Sequence, residues 1–408
     1  MDLHPGTILD AATLADPTDF YAHLRQSHPV WKVPGLPVAY VASYGHVVEA
    51  IRRVEDFSNH LDALIVRDDD EPALWETGDM DAGTTTLATA DPPEHTRHRN
   101  LVFPELVAQR MATIKPQVEI LVDEQMTLAR GKGRSVEWTS TVANPVPARV
   151  IAHVIGLPAS DWPQVMGWAM NGTALLSGAH DGAGMEALAA EAAESGLYLA
   201  TALIEAAAEP ADDLLGVCAR AVTNGELTLE EAVGTLVILL GAGGESTASL
   251  IGNAVRMLAD DPGLQKRIRA DRDLLQPFLE EVLRLESPFR GHFRQVKRDC
   301  ELGGVALDPG TTVLLLWASA NRDPAEYERP DEVVLDRQIV KNHLAFGRGI
   351  HHCVGAGLAR MEASVAVSGL LDETTDFSLD PADPPTWEHS LFVRRHERLP
   401  LLVDWRST

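Results

Sequence analysis

The sequence predicts a mainly helical chain carrying a few short strands. Three observations carry that expectation. A capped apolar pattern runs from Thr228 to Asp260, residues 161–208 hold an alanine-rich helical stretch, and the strand-like pieces are brief and scattered. No Gly/Ser- or Pro-rich linker and no fixed-period repeat divides the 408 residues, so 1–408 reads as one large domain.

In chain order, helical patterns occupy Asp19–Gln26 and Tyr44–Arg53, with strand-like Val38–Val41 between them and turn chemistry from Pro34, Gly35 and Pro37. Residues 61–90 read as an irregular, acid-rich loop containing Asp68-Asp69-Asp70-Glu71 and Thr84-Thr85-Thr86, either a solvated face or a functional loop. Asp91-Pro92-Pro93 ends it, and His95 and Arg99 then stand four apart on one helical face. Residues 101–160 are helix-rich, and Val150, Ile151, Val154 and Ile155 mark a core helix. Within 161–208 two helices are broken near Ser177–Gly184, a mobile lid or an ordinary turn.

The Thr228/Glu231 capping box opens the longest helix, and Pro262 stops it after about 31 residues, roughly 46 Å. Gly241-Ala242-Gly243-Gly244-Glu245-Ser246-Thr247 interrupts its middle. Each glycine costs such a helix about 1 kcal/mol relative to alanine. Either helices cross closely there or the site is functional. Glu281-Val282-Leu283-Arg284 sets an acid and a base on one helical face, and Phe289-Arg290-Gly291-His292-Phe293-Arg294 follows as extended chain. Strands are expected at Gly303–Leu307, Thr312–Trp317, His389–Val393 and Leu399–Val403.

The balance of 34 basic against 60 acidic residues, net -26, argues against non-specific binding to nucleic acid or anionic membranes. No basic segment leads into an apolar run at the start, and Leu236–Ala242 and Val313–Ala320 fall short of the ~18 residues that span a bilayer. Three cysteines suit a reducing compartment. The expectation is a cytoplasmic, monomeric protein with no membrane and no nucleic-acid partner.

Cys353 follows a run of glycines and two histidines and precedes Leu358, Met361 and Val365 at helical spacing. A cysteine at a helix start is suited to the thiolate form, as nucleophile or iron ligand. The run Phe346-Gly347-x-Gly349-x-His351-x-Cys353-x-Gly355 resembles the haem-thiolate signature of the cytochrome P450 superfamily. The resemblance extends over four motifs in the family's order across 91–360, and their spacings suit the soluble bacterial type.

That resemblance implies the cytochrome P450 fold, a large helical domain with small β-sheets enclosing haem b. Cys353 would be the iron ligand, and Phe346, His351 and Gly355 would lie against the cofactor with it. His95, Arg99, Arg294 and His351 would neutralise the propionates, and Arg337, rather than Arg329, would join Glu281 and Arg284 in a structural brace. Ala242 would make room for dioxygen, and Glu245 with Ser246 would deliver protons. Serine stands where the family usually has threonine, so Thr247 competes as the relay hydroxyl. Arg290 and His292 would face the substrate, although Arg290 turned to solvent or paired with the acidic loop is the alternative. The implied activity is insertion of one oxygen atom from O2 into a small-molecule substrate. Electrons would come from a ferredoxin and an NAD(P)H-dependent ferredoxin reductase. A peroxide-using haem-thiolate enzyme and a non-catalytic haem ligand-binding protein are the other readings.

Overall fold

The Thr228 hydroxyl accepts from the Glu231 N–H at 3.1 Å while the Glu231 carboxylate accepts from the Thr228 N–H at 2.8 Å. This reciprocal cap starts a helix of 32 residues, Leu229–Asp260, on which most of the other long helices pack. The computed structural model describes residues 3–68, 71–78, 85–106, 108–338 and 342–407. Asp69, Asp70 and Thr84, singled out above, lie outside the described residues.

The helices in order are α1 (Ala11–Ala15), α2 (Thr18–Ser27), α3 (Tyr44–Arg52), α4 (Glu94–Val102), α5 (Ala108–Gly131) and α6 (Pro145–Ile155). There follow α7 (Trp162–Ala174), α8 (Gly182–Ala206), α9 (Leu214–Thr223), α10 (Leu229–Asp260) and α11 (Pro262–Ala270). The last are α12 (Leu275–Leu285), α13 (Trp317–Ala320) and α14 (Ala356–Glu373). The largest hydrophobic cluster joins α5, α6, α9, α10, α12 and α14.

A five-stranded sheet is formed by β1 (Val30–Lys32), β2 (Val38–Val41), β3 (Phe57–Ser58), β7 (His292–Val296) and β10 (Thr312–Leu315), ordered β1-β2-β10-β7-β3. Only the β2–β10 pair is parallel. Hairpins pair β4 (Ala63–Asp68) with β5 (Glu71–Glu76), β8 (Cys300–Leu302) with β9 (Val305–Leu307), and β12 (Thr386–Trp387) with β13 (His396–Arg398). A second sheet orders β11 (Thr374–Leu379), β14 (Pro400–Trp405) and β6 (Ser135–Glu137) as β11-β14-β6.

Three sequence expectations are corrected. Ala63–Asp68 and Glu71–Glu76 pair as antiparallel strands rather than irregular loop, because Leu64 and Val66 bury against Leu175 and Met185 while Ile65 buries on the opposite side. Burial on both faces erases the alternation that marks a strand. His389–Val393 is not a strand. The Ser390 hydroxyl accepts from the N–H groups of Phe392 and Val393, which diverts them from a ladder, and a single bridge joins Val393 to Phe289. The strand expected to reach Trp317 stops at Leu315, and Trp317 opens α13.

The turn at Ser177–Gly184 is anchored: the Leu391 N–H donates to Ser177 O and the Arg67 N–H to His180 O. At Gly178 (φ +67°) an added Cβ would lie 2.3 Å from Leu391 Cδ2. By length and composition α8 and α10 pass for membrane spans, with mean hydropathies of 1.2 and 1.3 over their best windows. The window in α10 is 61% buried inside the protein, so its apolarity serves the core.

Candidate functional site: a thiol, unpaired cations and the long helix

Gly347 (φ +64°) and Gly349 (φ +73°) turn the chain through the left-handed region just before α14. The loop closes where the Cys353 N–H donates to Phe346 O at 2.9 Å, and the Arg360 guanidinium lies 4.4 Å above the Phe346 ring. Burial pushes the Cys353 thiol up. The Gly355 and Ala356 N–H groups and the charges of Arg99 and Arg360 pull the other way, toward thiolate. Gly355, at the N-cap of α14, leaves room beside the sulfur, since an added Cβ there would lie 3.9 Å from Cys353 Sγ.

Two arginines and two histidines gather near this loop from three elements. His95 and Arg99 lie one turn apart on α4, and the His95 ring sits 4.0 Å from that of His351. Arg294 comes from β7, where alternation puts His292 on its side of the strand. Arg294 Nη1 donates to Phe293 O at 2.6 Å and lies 3.4 Å from His292 Nδ1. Among the described residues neither Arg99 nor Arg294 has a carboxylate partner. Asp91, the acid that Arg294 feels, is held by Ser58 and the Asn59 N–H. His95 Nδ1 and His351 Nε2 are buried without partners.

Burial pushes Arg294 down to about 10 and His292 to about 4, the latter helped by the Arg294 charge. His351 falls to about 2 through burial and then the charges of His95, Arg294, His292 and Arg99. Two arginines without carboxylate partners, beside neutral imidazoles with spare N–H groups, are a receptor for anions. With a thiol between them and the helix start, these residues fit a group bearing two carboxylates and a thiolate-seeking metal, as haem does.

Of the three glycines in the Gly241–Thr247 stretch of α10, two are explained by packing. A Cβ on Gly243 would meet Ile151 of α6 at 2.9 Å, and one on Gly244 would meet Ala169 of α7 at 3.0 Å. Ala242 is exposed within this mostly buried helix, and Ser246, one turn on, shares its face. Ser246 Oγ donates to Ala242 O at 2.6 Å. Glu245 points elsewhere: its carboxylate accepts from Thr173 Oγ1 and pairs with Arg395 Nε at 2.8 Å. Burial pushes Glu245 up, against Arg395 and Thr173. Arg395 also holds Glu388 at 2.7 Å, whose side chain is 39% exposed. No hydrogen bond joins Glu245 to Ser246, so the expected acid–alcohol pair is not in direct contact. Thr247 is buried. Sequence reasoning missed Thr173, Arg395 and Glu388, which come from distant segments with no local signature.

Arg290 corrects the expectation that it faces substrate. Its guanidinium donates to Leu14 O at 2.5 Å and Val393 O at 3.2 Å, and it is 2% exposed, so neither the pocket nor solvent nor the acidic loop receives it. The strand begins only at His292, and Gly291 lies against Leu315 O, with an added Cβ 2.3 Å away. The period of two therefore does not extend back to Arg290. His292 is half-buried, its ring 5.8 Å from those of Trp317 and Phe392.

Behind the loop the charges are paired. Glu281 binds Arg284 through both oxygens at 2.8 and 2.9 Å, and Arg337 Nε reaches it at 3.1 Å, while Arg329 pairs with Glu332. Next to it, Glu280 is held by Arg360 and His343, which bring it down to about 2 against the opposing effect of burial.

A family profile described as Cytochrome P450 matches residues 206–402. Cytochrome P450 144 of Mycobacterium tuberculosis is 39% identical over 400 residues, covering 98% of this chain and 92% of that one. Cytochrome P450 107B1 of Saccharopolyspora erythraea is 34% identical, covering 96% of each. Among solved structures, cytochrome P450 CREJ in complex with (4-ethylphenyl) dihydrogen phosphate superposes with a TM-score of 0.87 at 27% identity, over 96% of this chain and 98% of that one. CYP109E1 from Bacillus megaterium in complex with testosterone gives 0.85 at 28%, with the same coverages. Identity across nearly the whole length, the shared helical fold and the thiol-bearing loop together lead to one conclusion: this chain belongs to the cytochrome P450 family and is a haem-iron monooxygenase.

Proposed function

We propose that residues 1–408 act as one cytoplasmic, monomeric domain that holds haem b and inserts one oxygen atom from dioxygen into a small organic substrate. Electrons come from separate partners, a ferredoxin and its NAD(P)H-dependent reductase. The observation that carries this reading is the pair of arginines without carboxylate partners and the unpartnered imidazole nitrogens of His95 and His351 beside the Cys353 loop.

His95, Arg99, Arg294 and His351 would hold the two propionates, and Cys353 would hold the iron, with Phe346 and Gly355 shaping its loop. Haem so bound supplies dioxygen activation, favoured by thiolate donation. The chain's own residues supply the rest. Ala242 keeps the face of α10 low, and Ser246 holds a proton at Oγ, directed at Ala242 O, with lone pairs left to accept from water. Arg395 holds both Glu245 and the half-exposed Glu388 in place, and the Glu245 carboxyl, pushed up by burial, is the acid from which a proton at Ser246 would be replaced through water. Thr247, buried on another side of the helix, has the weaker claim to the relay. His292, neutral at pH 7 and against Phe392, borders the substrate side.

The test is Cys353→Ala. The reduced carbon-monoxide complex is expected to lose its red-shifted Soret band, and an unchanged spectrum would reject Cys353 as ligand.

A further inference from the structure

Thr86 to Thr89 form a tight turn, closed where the Thr89 N–H donates to Thr86 O at 2.9 Å. Its second residue, Leu87, is buried and held at φ +42°, in the left-handed region that a leucine rarely adopts. Such a conformation persists only while its surroundings fix it. Here a side chain does so: the Leu87 N–H donates to His98 Nδ1 at 3.2 Å.

The turn rests on α10. A Cβ on Gly234 would lie 2.8 Å from Thr86 Oγ1, so glycine makes the seat for Thr86. Gly241 stands about two turns further along the same face, and a Cβ there would meet no protein atom within 4 Å. The turn therefore stands at one end of an open space along α10.

The His98 side chain is fully buried, and the bond to Leu87 fixes its tautomer. Nδ1 accepts, so it carries no proton; Nε2 carries it and faces Glu231 Oε1 at 3.3 Å. A second proton can go only to Nδ1, where an N–H would stand against the Leu87 N–H and the bond would be lost. Glu231 favours that proton. Arg97, which also binds Glu231 and lies 3.5 Å from Nε2, opposes it, as does any charge on His95. From α9, which also packs on α4, Arg220 is turned away to the carbonyls of Pro210 and Ala211, and Cys218 is kept protonated by burial. Histidine is the side chain whose charge changes nearest neutral pH.

We propose that His98 is a latch: a proton on Nδ1 releases the Thr86–Thr89 turn from its place on α10, so acidification loosens one end of the open space beside Gly241. The test is hydrogen exchange of the haem-loaded protein from pH 8 to pH 5, read at the Leu87 amide by electron-transfer fragmentation and divided by the intrinsic rate at each pH. Protection of Leu87 is expected to fall about tenfold or more across that range, the loss of one hydrogen bond, while Ile251 and Ala254 in the buried part of α10 stay protected. His98→Asn keeps a side-chain acceptor near the Nδ1 position and gains no proton, so its profile is expected to be flat and high. His98→Leu removes the acceptor, and its profile is expected to be flat and low. A wild-type profile without slope, a slope that survives in His98→Asn, wild-type protection in His98→Leu, or a parallel loss at Ile251 overturns the proposal. Should His98→Leu fail to fold, the wild-type slope and its absence in His98→Asn decide.

Discussion

Two charged regions flank the Cys353 loop, and they are built on opposite principles. Around Glu281 every charge is answered: Arg284 and Arg337 surround it, and the spare Arg284 donors reach the carbonyls of Asn321, Pro330 and Glu332. Around Arg294 none is, since Arg99, His95 and His351 share its side and no carboxylate is free. A network complete within itself has nothing left to offer a ligand. One whose arginines and imidazole N–H groups have no acid partner is incomplete until an anion arrives. The first braces the molecule and the second receives something.

The strongest way to break that contrast is Glu281→Ala. Leaving Arg284 buried and uncompensated is expected to cost about 3–5 kcal/mol, equally with and without haem, in chemical denaturation. A cost that appears only in the haem-loaded protein would move Glu281 to the receiving side. Arg294→Gln should behave inversely. Without haem the protein is expected to gain stability, because an unpaired buried cation is removed, while the haem-loaded protein loses about 1–3 kcal/mol and releases haem faster. Loss of stability in both forms would make Arg294 a brace.

Glu362 tests whether every unpaired charge is a receptor. It is buried on α14, Oε2 has no partner, and burial pushes its carboxyl well above the usual range. The folded chain therefore keeps a proton that the unfolded chain releases near 4.5, so stability falls as pH rises beyond that point. Glu362→Gln is expected to match wild type below pH 4.5 and exceed it above, in melting temperature against pH. A parallel pair of curves would refute the unpaired state.

The smallest effect separates the regions by pH. Glu280, lowered to about 2, contributes stability above 4.5 that is lost as pH falls toward 2. His292, lowered to about 4, costs stability earlier, because the unfolded imidazole takes a proton as pH falls from 6.5 to 4 and the folded one does not. Haem-loaded protein should lose less than haem-free protein between pH 6.5 and 4. Identical slopes would mean that no anion reaches this side.

What was legible in the sequence was local. The Thr228/Glu231 cap, the glycines around Cys353 and the Glu281/Arg284 spacing are each settled within a few residues, and Arg337 followed from its place in the order of motifs. What was not legible depended on partners far along the chain. Glu245 meets Arg395, 150 positions away, and nothing near either announces the pair. Arg290 was misplaced because strand alternation was carried past Gly291, where the chain leaves the strand. The β4/β5 pairing stayed hidden because Ala63–Val66 is buried on both faces and so runs apolar without alternation, while charged residues stand only at the strand ends.

The middle of α10 also fixes where this enzyme can be redesigned. At Gly241 an added Cβ would meet no protein atom within 4 Å, so the fold itself does not resist a methyl there. At Gly243 the Ile151 side chain must first be rearranged, and at Gly244 the obstacle is Ala169 Cβ, which moves only with its backbone. A methyl added there would press α10 and α7 apart by a few tenths of an ångström, on the helix that carries Ala242 and Ser246.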